Sequence, residues 1–396
     1  MKKLFVLVLL GVSIFSCKKE EEIIPTPSST ILNGNITESV TLTADKEWTL
    51  KGYVYVVDGV TLTIQPGTVI KSDIAEKGAL CIERGAKIIA VGTSAKPIVF
   101  TSGRPSGEKA PGDWGGIVIL GKATTNRSSE PTIEGGIGRA YGGNDDADNS
   151  GALRYVRIEY AGIAAMPNSE INALTLGAVG SGTIIDNVQT IYANDDAFEF
   201  FGGTVSPKRL YAYATADDDF DFDFGFRGTL TDCIAKRDPQ FVDSGDAGNG
   251  IECDNDGSGS TAIPFTHPIL NNIVLIGPAD TSALSNHNLA MRWRRASQFE
   301  VYNSTFIGHR KGGFSMESNE TVQAYKDGIS KFKNNKIGSL NGSNFISKSE
   351  VMSSDEVKSK SLGEGNIEIN FTPADVETLS KPSWANGWTK FPTKGN

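Results

Sequence analysis

Between Ala197 and Glu317 the chain keeps returning to one short pattern, with apolar residues in the second and fourth places and a polar or charged residue between them. The copies are Ala197-Phe198-Glu199-Phe200-Phe201, Asp219-Phe220-Asp221-Phe222-Asp223, Gly250-Ile251-Glu252-Cys253-Asp254, Ala290-Met291-Arg292-Trp293-Arg294 and Gly313-Phe314-Ser315-Met316-Glu317. Such alternation is what a strand with one buried face requires. Spacings of about 22 to about 40 residues between copies predict the rungs of a solenoid joined by loops of unequal length. An antiparallel sandwich would need hairpin turns between neighbouring strands, and these are scarce.

A second set interleaves with the first: Ile185-Asp186-Asn187-Val188, Leu230-Thr231-Asp232-Cys233, Leu270-Asn271-Asn272-Ile273 and Val301-Tyr302-Asn303-Ser304. Its third position carries Asn187, Asp232, Asn272 and Asn303, a column whose side chains can hydrogen-bond from rung to rung. More regular β segments come earlier, at Gly67-Thr68-Val69-Ile70, Ala79-Leu80-Cys81-Ile82, Gly85 to Ala90 and Pro97 to Ser102. After the last copy the period changes, and Val322, Tyr325, Ile329 and Phe332 predict a helix over residues 320–334. Thr372-Pro373-Ala374-Asp375 offers an N-cap, a proline at the first helical position and an acid two residues on, so a second, short helix should begin there. With Trp384 and Trp388 behind it, the tail is expected to fold back over the last rungs and cover an open β edge.

The column of side-chain amides resembles the asparagine ladder of pectate-lyase-like β-helices. The string from Pro66 to Ser102, followed by Gly112-Asp113-Trp114-Gly115-Gly116-Ile117-Val118-Ile119, is similar to the start of a group of secreted Bacteroidota β-helix proteins of poorly defined function. The resemblance covers roughly residues 38–320. It implies an all-β fold: a single-stranded, right-handed parallel β-helix over 36–318, closed by a C-terminal helical and loop cap over 319–396.

The first residues change the picture from fold to address. Met1-Lys2-Lys3, an apolar run from Leu4 to Phe15 and then Ser16-Cys17 have the layout of a secretory signal, with a run too short to span a bilayer comfortably. Ser13-Ile14-Phe15-Ser16-Cys17 resembles a lipobox, which implies a signal peptide over 1–16 and a mature lipoprotein whose Cys17 carries acyl chains such as palmitate. Charged and Pro/Ser-rich residues 17–35 read as a disordered tether. Lys18 and Lys19 followed by Glu20, Glu21 and Glu22 resemble the surface-export signal of Bacteroidota lipoproteins, which implies a surface-exposed place on the cell outer membrane. Net charge is −9, and no basic stripe exists to neutralise phosphates, so nucleic acid is not an expected partner. Cys81, Cys233 and Cys253 have neither CxxC nor metal-finger spacing and read as small core fillers, with a Cys233–Cys253 disulfide as the alternative.

Two features could carry chemistry. Asp146, Asp148 and Ser150 alternate ahead of Gly151, and Asp254, Asp256 and Ser258 repeat the spacing ahead of Gly259. Alternate oxygens can converge on one hard cation, so both segments are candidate calcium loops, although ordinary turns use the same residues. The second feature is acidic crowding at Asp195, Asp196, Glu199, Asp217, Asp218, Asp219, Asp221 and Asp223. The repeat alignment puts Glu199, Asp221, Glu252 and Arg292 in one outward column, with Asp223, Asp254 and Arg294 in the next. Rungs lie about 4.8 Å apart, so like charges there repel unless something offsets them. Arg292, Arg294 and Arg295 could do so as a salt-bridged ladder, and a divalent cation could do so at the purely acidic end.

Pectate lyases of this fold combine acidic calcium ligands with an Arg base, and the resemblance implies that arrangement for Arg292, without a catalytic motif that matches residue by residue. The three histidines, His267, His287 and His309, form no HxH or HExxH, and no GxSxG elbow is present. Three readings follow: a non-catalytic surface lipoprotein whose β-helix face binds a glycan or other macromolecule with calcium, a polysaccharide lyase or glycoside hydrolase on the same scaffold, or a structural and adhesive envelope component.

Overall fold

A computed structural model describes residues 25–394 apart from 167–168 and 246. The signal segment, Cys17 and the first part of the tether lie outside the described residues. The chain is a parallel β-helix with three faces, and one rung shows the plan. Ile251–Cys253 lies on the first face, Ile269–Asn271 on the second and Val274–Ile276 on the third. The chain then returns at Leu289–Trp293, which pairs in parallel with the starting strand through Ile251 to Met291, Glu252 to Arg292 and Cys253 to Trp293. Among the described residues, antiparallel pairing is confined to the hairpin of Ala164–Met166 with Ser169–Glu170 and a bridge between Thr132 and Ala140.

The alternating positions fill the interior as the pattern predicts. Phe198 stacks on Phe220 and Phe200 on Phe222, with ring centroids 5.5 and 5.1 Å apart, so aromatic side chains repeat at the rung spacing. Cys81, Cys233 and Cys253 are buried and unpaired, as small fillers should be.

The column of Asn187, Asp232, Asn272 and Asn303 has a different main cause from the one expected. All four sit at the corner between the second and third faces with φ between 52° and 58°, and so do Arg209 and Asn334. A single left-handed residue turns the chain there, a conformation that Asn and Asp tolerate better than most. Some side chains do bond along the stack, as Asn272 Nδ2 does to Asp232 Oδ1 at 2.6 Å. The buried ladder at this corner is nevertheless Ser304, Asn335 and Asn366. Asn335 Oδ1 accepts the Ser304 N–H at 2.9 Å and Asn366 Oδ1 accepts the Asn335 N–H at 2.8 Å.

Both ends of the solenoid reach further than expected. Strand Ile31–Ile36 pairs with Glu47–Val56, so the first rung begins inside the segment read as tether, with Leu32 buried between exposed neighbours. At the other end Lys331–Lys333, Lys336–Gly338, Ser343–Ser347 and Ile367–Glu368 continue all three faces. Helix α1 (Asn319–Lys326) is shorter than the helical spacing suggested. Gly328, at φ +79°, turns the chain, and Phe332 is buried as a strand residue. Helix α2 (Ser354–Gly363) starts from a capping box at Ser353 and packs Val357 over the last rungs.

Helix α3 (Pro373–Leu379) begins at Thr372 as its capping sequence predicts. The tail beyond it runs well past the last rungs and down the third face, over the outward column Arg157, Gln189, Tyr211 and Ile234. Tyr211 Oη donates to the Ser380 carbonyl at 2.8 Å, and Arg157 Nη1 donates to that of Trp388 at 2.9 Å. The tail therefore covers one long face. Much of the outer side of the first face is covered by loop 121–150, through Ile133, Ile137 and Tyr141 packed on Cys81, Val118 and Leu120. That cover reaches the first acidic rung, where Tyr141 packs on Phe201 with ring centroids 6.1 Å apart.

Candidate acidic site

A second ladder runs along the corner that leads into the first face, and it positions the acids. Asn172 Oδ1 accepts the Asp196 N–H at 3.1 Å, and Asp196 Oδ1 accepts the Asp218 N–H at 2.9 Å. Asp218 Oδ1 in turn accepts the Asn249 N–H at 2.5 Å, and Asn249 Oδ1 accepts the Leu289 N–H at 3.3 Å. Each rung thus hands one oxygen to the backbone of the next. An asparagine does this job at both ends of the run, yet the two middle rungs use carboxylates, with Asp196 7 % and Asp218 4 % exposed.

Parallel register then stacks the outward acids as the repeat alignment predicts. Glu199 pairs with Asp221, Asp221 with Glu252 and Glu252 with Arg292. Single oxygens from Asp195, Asp196 and Asp217 lie within 4.8 Å of one another, and so do oxygens from Asp196, Glu199 and Asp221. Asp196 belongs to both groups. Asn172 Nδ2 donates to Glu199, while Asp221 keeps one buried oxygen without a hydrogen-bond partner among the described residues. Among the described residues no Lys or Arg forms an ion pair with Asp195, Asp196, Glu199 or Asp221. Burial, followed by the neighbouring carboxylates, holds the carboxyls of Asp195, Asp196 and Asp221 well above the ordinary range.

The other half of the column is compensated from within. Arg292 pairs with Glu252 at 2.9 Å and with Glu317 at 3.2 Å, and Arg294 pairs with Glu252 and, at 2.7 Å, with Asp254. Arg295 adds a contact to Asp254 at 2.6 Å. The residues singled out from sequence thus divide in two. Asp195, Asp196, Glu199 and Asp221 form the open acidic end, and Glu252, Arg292 and Arg294 form a closed salt-bridge ladder.

The two candidate calcium loops do not gather their oxygens. Asp146 accepts the Thr124 N–H at 2.9 Å and pairs with Arg227 at 2.8 Å, whereas Asp148 accepts from the Lys122 N–H at 3.2 Å and from the hydroxyl of Ser150 at 3.3 Å. Asp254 is taken up by Arg294 and Arg295. Asp256 caps its own turn, accepting from the Ser258 N–H at 2.9 Å and the Ser260 N–H at 3.0 Å. Backbone donors and arginines already take up these carboxylates, as they do in ordinary turns.

Sequence reasoning missed three contributors. Glu134 comes from loop 121–150 and Glu170 from the hairpin, and both raise the pKa of the Asp195 carboxyl. No local motif marks either. Asn172 did have a signal, because Asn172, Asp196, Asp218 and Asn249 all stand two residues before an apolar residue that opens an alternating segment.

Carboxylate oxygens alone, several of them buried, form a donor set suited to a hard divalent cation such as calcium. They form an equally suitable set of raised carboxyls for proton transfer. A family model described as a pectate-lyase like beta helix domain matches residues 34–389. No curated protein and no solved structure gives a match. The match spans nearly the whole β-helix and both ladders, and the chain belongs to the pectate-lyase-like β-helix family.

Proposed function

We propose that this protein is an exported, lipid-anchored envelope protein, held through Cys17 at the outer membrane and facing outward, that binds a glycan on its first face through a calcium ion at the acidic end. The anchor rests on the Lys-rich start, apolar run and lipobox-like Ser16-Cys17 of the sequence. The ligand class rests on the carbohydrate-related scaffold of the family.

The observation that carries the reading is the placement of Asp196 and Asp218 in a hydrogen-bond ladder where asparagine works. A neutral amide would keep the bonds without adding charge to a crowded, poorly solvated cluster. Two carboxylates there cost stability unless a cation or protons neutralise them. The fold alone does not give the function, so the site has to be tested directly.

The test is calorimetric titration of calcium into the full chain in detergent, followed by a glycan array read with calcium and with EDTA. Asp196→Asn and Asp218→Asn keep the ladder acceptor and remove the charge. Calcium binding that both variants weaken, together with calcium-dependent glycan retention, is the expected result. A chain that takes up no calcium, or variants that bind it as wild type does, would end the calcium reading.

Raised carboxyls packed this closely also favour a second reading, a glycoside hydrolase or lyase in which a protonated acid donates to the leaving oxygen. New reducing ends or unsaturated products released from the array-positive glycan would select it over binding alone.

A further inference from the structure

At the corner between the first and second faces, three successive rungs each send one charged side chain into a single cavity of about 340 Å³. Asp58 follows strand Glu47–Val56, Arg84 follows Leu80–Ile82 and Lys122 follows Ile117–Leu120. Glu83 and Arg139 complete the charged lining. This cavity shares no residue with the acidic cluster.

Two of its three cations are fixed from behind. Arg84 forms a two-pronged pair with Glu130, at 2.8 and 3.0 Å, and donates to the Gly142 carbonyl at 2.9 Å. Arg139 gives its Nε to Glu83 at 2.5 Å, and its guanidinium stacks on Tyr55 at 4.1 Å. These anchors orient both planar groups and leave further N–H edges unused.

Among the described residues neither the Lys122 ammonium nor the Asp58 carboxylate forms a hydrogen bond or ion pair, although Asp58 lies near enough to Arg84 to stabilise its charge. Both head groups hang over Gly85, which forms the floor between them. A Cβ on that glycine would lie 1.9 Å from Asp58 Oδ1 and 2.8 Å from Lys122 Nζ. The two charges face each other across that floor, just beyond ion-pair distance.

We propose that this cavity is a second binding site, for a sugar carrying a tetrahedral oxyanion ester. Lys122, Arg139 and Arg84, which line the cavity together, meet the oxyanion, whereas a planar carboxylate would be served by one guanidinium. Asp58 accepts from a sugar hydroxyl. The volume lies near the lower end of the range for small-molecule pockets, large enough for one monosaccharide and its ester group. The same oxyanion chemistry is found in phosphate and sulfate esters.

Calorimetry on the full chain in detergent, with glucose 6-phosphate, glucose 6-sulfate, inorganic phosphate, inorganic sulfate and glucose as separate titrants, tests the proposal. The expected result is saturable binding of at least one ester, about tenfold weaker binding of the matching inorganic ion, and none of glucose. The phosphate and sulfate arms tell the two ester types apart. Lys122→Ala, a change at an exposed and unpartnered side chain, should weaken ester binding about tenfold, and Asp58→Asn should narrow the preference for ester over inorganic ion. Absence of heat with every anion, equal affinity for ester and inorganic ion, or unchanged binding in Lys122→Ala would each overturn it.

Discussion

Asp196 accepts the main-chain N–H of Asp218 at 2.9 Å, so one carboxylate in the crowded site is also the backbone support of the next. Structure and charge can be separated at this pair, because Asn offers the same acceptor without the charge. In EDTA, Asp196→Asn should therefore raise Tm, by roughly 1–2 °C for about 1 kcal/mol of relieved repulsion in a chain of this length. Calcium should stabilise wild type and leave the variant little changed. Differential scanning calorimetry with EDTA and with calcium reads both effects, and a variant that melts lower in EDTA would contradict the account of the ladder.

Protons should act on the cluster as the cation does. Burial, then the surrounding acids, holds Asp196, Glu199 and Asp221 above their ordinary values, and Asp218 is raised in the same way although Arg237 opposes it. The folded chain binds these protons more tightly than the unfolded chain. Their contribution to stability is thus fullest below the ordinary carboxylate range and is lost as pH rises through the raised folded values. Without calcium, Tm should fall as pH rises above the ordinary carboxylate range, and saturating calcium should flatten the slope. A pH-independent Tm in EDTA would mean that the acids are compensated in some other way.

How much of this was legible in the sequence depends on range. Phe198, Phe200, Phe220 and Phe222 gave away the core by alternation, which a strand enforces locally. The column Glu199, Asp221, Glu252 and Arg292 followed because parallel register carries one rung's alternation onto the next. Asn187 and Asn272 were visible as a column, but their main duty, a left-handed corner, depends on φ and not on side-chain bonding. Asp146 and Asp256 read as cation ligands because a turn and a calcium loop draw on the same residues; their contacts to Arg227 and Ser260 come from the path of the chain, which no local pattern shows. Glu134 and Glu170 were invisible because long loops deliver them.

A second pH effect, of opposite sign, comes from the histidines beside Arg237. His287 and His309 are fully buried, with the backbone at Asp238 and Pro239 beside the first ring and that at Leu289 beside the second. Burial, then the Arg237 charge, pushes His287 down to about 4 from 6.5 and also lowers His309. A depressed folded value means that stability is complete above the ordinary value and is lost as pH falls toward the folded one. With calcium saturating, so that the acids no longer dominate, Tm should decline below about pH 6.5, and His287 alone accounts for about 3 kcal/mol by pH 4. His287→Gln should make that decline shallower, and an identical slope in the variant would remove His287 as its source.

The tail should come off before the solenoid melts. Trp388 is 1 % exposed and packs edge-on against Tyr155, and Gln189 holds the Lys390 peptide from both sides, at 2.7 and 2.9 Å. Between this anchor and the last rung lies α3, none of whose residues is buried. Cavities of about 290 and 440 Å³ flank it. A segment with so little burial is a natural place for local opening. Trp388→Ala should cost the docked tail about 3–5 kcal/mol, and Gln189→Ala about 1 kcal/mol for each lost hydrogen bond. Hydrogen exchange followed by mass spectrometry should then show fast exchange from Phe371 to Phe391 in Trp388→Ala, with the strands around Phe200 and Phe222 still protected. If those strands lose protection together with the tail, the tail is an integral part of the core and not a separable strap along the third face.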